Sequence, residues 1–155
     1  MPSSRSSLLP VTVVIDSREQ EPYGFNPLLV RPVRRALPAG DYSVEGLEGA
    51  LAVERKTLDD FVGTVIRERE RFYRELRRLG DYRRACIVVE GSWADVFARR
   101  YRGHAHPETV FGSAMAITVD FAVPVFFCSN RQIACRFVEG YLLRAAGKGE
   151  VHAND

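Results

Sequence analysis

Short apolar, β-branched runs fill the first third of the chain, and from Thr57 onward strand-like and helix-like segments alternate. Few folds accept that order. Strands placed first, then strand and helix in turn, build a mixed central sheet flanked by helices, so the expected class is α/β. Residues 11–15 read as a buried strand that closes on Asp16. Residues 21–32, with three prolines and a glycine, read as loop, and residues 33–37 as a short strand before the Pro38-Ala39-Gly40 turn. Residues 41–45 and 50–55 flank Gly46-Leu47-Glu48-Gly49 in the manner of a hairpin.

A helix is expected from Thr57 to Gly80, with Asp59 and Asp60 in its first turn, where the helix dipole favours acids. A buried strand follows over 85–90, then a helix capped by Ser92 running to about Tyr101. A helix from Pro107 to about Phe121, a strand over 123–128 and a helix from Asn130 to about Ala146 complete the pattern. Length favours one domain. The expected organisation is a disordered N-terminus over 1–10, a domain over 11–146 and a flexible tail over 147–155.

Composition narrows the function classes. With 46% hydrophobic and 27% charged residues, the chain matches an ordinary globular domain, not a disordered or collagen-like one. Cys86, Cys128 and Cys135 are odd in number and lack the paired spacing of a zinc site or disulfide framework. His104 and His106 have no third ligand nearby, which argues against zinc there as well. No secretory signal and no membrane-length apolar run is visible, so a cytoplasmic, intracellular protein is expected. Of the 22 basic residues, 20 are arginine, a side chain whose planar fork suits phosphate. Eight of them fall between Arg67 and Arg84. Interspersed glutamates allow a solvated helix face, while a phosphodiester-binding face is the sharper alternative.

The hairpin carries the chemistry. Gly40-Asp41 opens one strand and Glu54-Arg55-Lys56 closes the next, so the two antiparallel strands bring Asp41 and Lys56 to one end of the sheet. Side chains alternate along a strand, which puts Glu54 and Lys56 on one face and Arg55 on the other. Two carboxylates and an ammonium converging there suit a hard cation completed by water and phosphate oxygens, the chemistry of assisted phosphodiester hydrolysis. Asp16, Glu19 and Asp60 add carboxylates at a strand end and a helix start, although Asp59 and Asp60 taken alone favour a plain capping role. Tyr23 and Phe25 are read as loop anchors, with stacking on an unpaired base as the alternative.

Val14-Ile15-Asp16-Ser17-Arg18-Glu19, Leu37-Pro38-Ala39-Gly40-Asp41-Tyr42 and Val53-Glu54-Arg55-Lys56-Thr57-Leu58-Asp59-Asp60 together resemble the nuclease domain of the XPF-type structure-specific endonucleases. The family signature is Gly-Asp, a gap, Glu-Arg-Lys, three residues and Asp, and every position is filled here in order. The likeness continues through Ile87-Val88-Val89-Glu90-Gly91 and more weakly to about residue 146. It implies a restriction-endonuclease-like core and a metal-dependent DNA endonuclease using Mg²⁺ or Mn²⁺.

By the same resemblance Asp41 and Glu54 are metal ligands with Asp16 beside them, and Lys56 positions water or offsets charge. Glu19 extends the acidic cluster, and Asp60 holds Lys56 or Arg55. Arg18, Arg55, Arg67 and Arg71 are expected to contact DNA, with carboxylate bracing as the other role for Arg18 and Arg55. The substrate class implied is branched, flapped or nicked DNA in repair or recombination. Family members usually carry a tandem helix-hairpin-helix module, which is not expected in a chain of this length, so a separate DNA-recognition or helicase protein is expected as partner. A catalytically silent DNA-binding scaffold is the alternative function. The helices near 107–121 and 130–146 carry apolar residues on more than one side, Phe137 and Tyr141 among them, and a homodimer is expected through that half.

Overall fold

The computed structural model describes residues 9–153, with side chains through Gly147. The expected disordered segment over 1–10 therefore lies almost wholly outside the described residues. The elements run β1 (Val11–Asp16), β2 (Val30–Arg35), β3 (Tyr42–Val44), β4 (Leu51–Thr57), α1 (Leu58–Arg67), α2 (Arg69–Gly80), β5 (Arg84–Glu90), α3 (Trp93–Phe97), α4 (Pro107–Asp120), β6 (Val125–Phe127) and α5 (Arg131–Ala153). The six strands form one sheet in the order β2-β1-β3-β4-β5-β6. β3 pairs antiparallel with both neighbours, while the other pairings are parallel. The C-terminal ends of β1, β4 and β5 therefore meet the start of β3 along one edge, which collects Asp16, Asp41, Glu54 and Glu90.

Strand alternation divides the core into two layers. Ala52, Ile87 and Val89 face α1, α2 and α4 through Phe61, Val65, Phe72, Leu76, Val110 and Ile117. Val53, Cys86 and Val88 face α5 through Ala134, Val138 and Leu142, with Tyr23 and Tyr42 in the same layer. Both faces of the central strands are covered, which is why they read as continuous apolar runs.

Several boundaries differ from expectation, each for a local reason. The strand expected over 33–37 is β2, starting at Val30 and containing Pro32; as an edge strand it accommodates a residue without an N–H. The helix expected over 57–80 breaks at Glu68 (φ −122°, ψ 36°), within the polar stretch 67–71 that has nothing to bury. Thr57 caps α1 by accepting from the Asp60 N–H. Helix α3 stops at Phe97 because Arg99 takes a left-handed φ of 57°. The last helix continues past Gly147 to Ala153 where a tail was expected, since extending a formed helix costs little per residue. No helix among the described residues is long and apolar enough to cross a membrane.

Candidate active site

Asp41 is fixed by its backbone before its side chain does anything. Its N–H donates to Val53 O at 2.8 Å and its carbonyl accepts from Asp16 N at 2.8 Å, tying it to β4 and β1. Gly40 precedes it with φ +75°, and a Cβ there would stand 3.1 Å from both the Ala52 Cβ and the Val53 carbonyl oxygen. The turn thus requires glycine for conformation and for space. Asp41 Oδ2 then accepts from the Arg55 main-chain N–H at 2.8 Å.

Glu54 and Lys56 share the face of β4 that looks toward α2. Lys56 Nζ stands 3.9 Å from Glu54 Oε1 and 5.5 Å from the centre of the Phe72 ring, which supports the ammonium from below. Burial pushes the Asp41 carboxyl up to about 6, the Arg55 N–H opposes it, and the Glu19 charge adds to it. Burial raises Glu54 well above the usual carboxylate range, with the Asp41 charge as the next cause and Lys56 opposing. Two carboxyl groups within reach of one another and withdrawn from water resist ionising together. A divalent cation relieves that repulsion. Among the described residues no three His, Cys, Asp or Glu side chains are grouped to hold a metal ion. A pair is still a sufficient protein donor set for Mg²⁺ or Mn²⁺, which take water and phosphate oxygens as their remaining ligands, so Asp41 and Glu54 fit such an ion.

The other expected site residues divide. Asp16 lies at the same edge but both oxygens are engaged: Oδ1 accepts from Leu37 N at 2.9 Å, and Oδ2 from Arg18 Nε at 2.9 Å. Burial would raise its carboxyl, yet the Leu37 N–H and Arg18 outweigh that and hold it below the usual range. It braces two connections at the edge that also carries Asp41. Glu19 is drawn in, its carboxylate 3.4 Å from Arg55 Nη1 and close enough for its charge to act on Asp41. Asp60 is exposed and makes no ion pair with Lys56 or Arg55 among the described residues, against the expected role. It lines a groove of about 390 Å³ with Asp59, Arg67, Arg102 and His104.

Arg18 is 78% exposed and its charge is felt by Asp41 and Glu54, so it overlooks the pair. Arg55 is only 10% exposed and turned to the opposite face, where it braces Glu90 and Glu19. Arg71 is exposed on α2. Tyr23 is buried and stacks on Tyr42 with centroids 5.4 Å apart, which makes it an anchor. His106 caps α4, its Nδ1 accepting from the Glu108 N–H. Glu90 and Arg131 escaped sequence reasoning: Glu90 was visible only as a strand end, and Arg131 gave no local signal.

Comparison with known proteins adds the lineage. The profile of the ERCC4 domain matches residues 15–141. A Methanocaldococcus jannaschii protein named as an ATP-dependent RNA helicase is 28% identical over 123 residues, covering 79% of this chain and 14% of that relative. This chain thus corresponds to a small part of that relative. Among solved structures, XPF from Aeropyrum pernix aligns with a TM-score of 0.67 at 25% identity, over 92% of this chain and 69% of that one. The same Aeropyrum protein in complex with DNA aligns with a TM-score of 0.66 at 26% identity, over 90% and 66% respectively.

Proposed function

The chain belongs to the ERCC4-domain family, and on that premise we propose that it is a divalent-metal-dependent DNA endonuclease acting through Asp41, Glu54 and Lys56. The observation that carries the reading is the half-buried Asp41–Glu54 pair with an ammonium 3.9 Å from one member, set where the parallel strands end. Asp41 and Glu54 would hold the Mg²⁺ or Mn²⁺, which supplies the positive charge that polarises the phosphoryl group. Lys56, propped on Phe72, orients a water on the scissile phosphorus and balances charge that develops on the phosphoryl oxygens. Arg18, free at its tip, binds a phosphate next to the one cleaved. Exposed arginines of α2 such as Arg71, and Arg67 in the groove beside α1, follow the backbone without reading sequence.

DNA is the proposed partner because the Aeropyrum XPF it resembles has been captured with DNA. The helicase name of the Methanocaldococcus relative supports a helicase or DNA-recognition unit working with this domain. Branched, flapped or nicked DNA is the proposed substrate class, and repair or recombination inside the cell the proposed setting. A homodimer is proposed through the β6 edge, where exposed Phe111, Met115 and Val119 on α4 and Ile133 on α5 leave apolar surface open.

A panel of single-stranded, duplex, nicked, flap, fork and four-way DNA, incubated with Mg²⁺ or Mn²⁺, tests the reading. Cleavage of at least one structured substrate that disappears on chelation supports it. Binding without cleavage in either metal, by a folded protein, favours the scaffold and overturns the enzyme.

A further inference from the structure

Arg55 sits between Glu54 and Lys56 in sequence but centres a separate, buried ionic hub on the other face of β4. Its Nε donates to Glu90 Oε2 at 2.8 Å, and its Nη1 to Glu19 Oε1 at 3.4 Å. The same Glu90 oxygen accepts from the Tyr23 hydroxyl at 2.6 Å and from Arg131 Nη1 at 3.4 Å. The Tyr23 ring packs against both guanidinium groups, its centroid 5.5 Å from the Arg55 carbon and 4.8 Å from that of Arg131. Arg131 Nη2 also donates to the carbonyl oxygens of Glu21 and Pro22, at 2.8 and 3.3 Å. The first turn of α5 therefore grips the segment that follows Glu19.

Charge balance explains what each contact does. Two guanidinium groups face two largely buried carboxylates, Glu90 and Glu19, while Glu21 stays mostly in water. Burying charge is tolerated only when it is paired. Arg131 contributes to neutralising Glu90, which leaves one arm of Arg55 for Glu19. Without Arg131, Glu90 keeps Arg55 to itself, and the 3.4 Å contact to Glu19 is the weak member that yields. Glu19 is also the hub residue tied to the Asp41 edge: its N–H donates to the Asp16 carbonyl at 3.0 Å, and the Asp16 N–H donates to the Asp41 carbonyl at 2.8 Å.

We infer that Arg131 is a positioning residue for the site: through Glu90 it frees Arg55 to hold the Glu19 carboxylate at the strand edge it shares with Asp41, where its charge would favour a cation held by Asp41 and Glu54. The inference rests on the proposed metal site at Asp41 and Glu54 and adds to it a remote residue on α5. Groups that orient the surroundings of metal ligands change affinity or activity roughly ten- to hundredfold when removed.

Calorimetric titration with Mn²⁺ alone, without DNA, separates this from simple loop packing. The variants are Arg131→Met, Arg131→Lys, Tyr23→Phe and Glu139→Ala. Glu139 Oε2 accepts from Asn26 N at 2.8 Å and so ties the same loop to the same helix without touching the hub. Arg131→Met is expected to weaken Mn²⁺ binding about tenfold or more, with partial recovery in Arg131→Lys and wild-type affinity in Glu139→Ala. In cleavage assays Arg131→Met lowers kcat and leaves KM for DNA unchanged. Tyr23→Phe, which removes one hydroxyl from Glu90, gives a smaller loss in the same direction and serves if Arg131→Met does not fold. Mn²⁺ affinity in a folded Arg131→Met or Tyr23→Phe equal to wild type, or an equal loss in Glu139→Ala, overturns the inference alone. A wild type that binds no Mn²⁺ overturns the metal site itself.

Discussion

The main-chain N–H of Arg55 donates to Asp41 Oδ2 at 2.8 Å while the Arg55 side chain lies on the opposite face of the strand, bound to Glu90. One residue thus pins the Asp41 carboxylate with its backbone and the hub with its guanidinium. The central residue of Glu54-Arg55-Lys56 links two faces of the sheet, and its neighbours carry the proposed chemistry.

The turn that presents Asp41 is sensitive to one methyl group. Gly40→Ala places a Cβ at φ +75° and 3.1 Å from two neighbours, and is expected to cost about 2 kcal/mol or more. Gly46→Ala provides the comparison: φ is +89° but nothing lies within 4 Å of the added Cβ. Both variants lose stability in urea titrations, Gly40→Ala the more, and only Gly40→Ala loses cleavage beyond its unfolded fraction.

Asp16 is predicted to act on stability before activity. Asp16→Ala strands the buried Leu37 N–H and is expected to destabilise the fold by about 1–3 kcal/mol. Because the folded protein holds this carboxyl below its ordinary value of 3.8, the stabilisation is present above that pH and is lost as pH falls through the lower folded value. Urea midpoints of wild type and Asp16→Asn therefore stay separated by a constant gap at neutral pH and converge in acid, below 3.8. A gap that widens on acidification contradicts this placement of Asp16.

Much of the local geometry was legible because it depends on short-range rules. Alternation along residues 50–55 put Glu54 and Lys56 on one face, and the Gly46–Gly49 turn brought Asp41 to them. What sequence reading missed depends on register between distant segments. The parallel pairing of β4 with β5 sets Thr57 beside Glu90, and only that register lets Arg55 reach the Glu90 side chain. Arg131 joins them because α5 crosses the same face, which no spacing in the sequence announces. Asp60 sits in the first turn of α1, as expected, but lines a groove with Asp59 and Arg67 and makes no ion pair with Lys56 or Arg55 among the described residues.

The Asp41–Glu54 repulsion makes a prediction in the opposite sense from most site mutations. Glu54→Gln removes the carboxyl whose ionisation the half-buried pair resists, so the metal-free protein is expected to be more stable at neutral pH. The same variant is predicted to lose cleavage and to lack the rise in melting temperature that Mn²⁺ is predicted to give wild type. Calorimetric melting with and without Mn²⁺ checks both halves; a destabilised metal-free Glu54→Gln contradicts the like-charge account.

Assembly is expected at the β6 end of the sheet. Phe137 and Tyr141 pack against one another, and Phe137 on Phe126, so a charge there disturbs folding as well as association. Met115 and Val119, 40% and 75% exposed on α4, isolate the interface better. A symmetric dimer meets each introduced charge twice. Met115→Glu is predicted to keep its melting temperature within about 2 °C of wild type while shifting a micromolar sample from dimer to monomer in sedimentation. A wild type that sediments as a monomer contradicts the dimer.

The most direct measurement is the Mn²⁺-dependent cleavage rate of a structured DNA substrate by wild type and by Lys56→Met, with DNA binding followed in the same samples. Lys56→Met keeps the aliphatic stem over Phe72 and removes only the ammonium 3.9 Å from Glu54. The account predicts that the variant folds and binds DNA as wild type does, yet cleaves at least about 100-fold more slowly. Cleavage by Lys56→Met at the wild-type rate would contradict it.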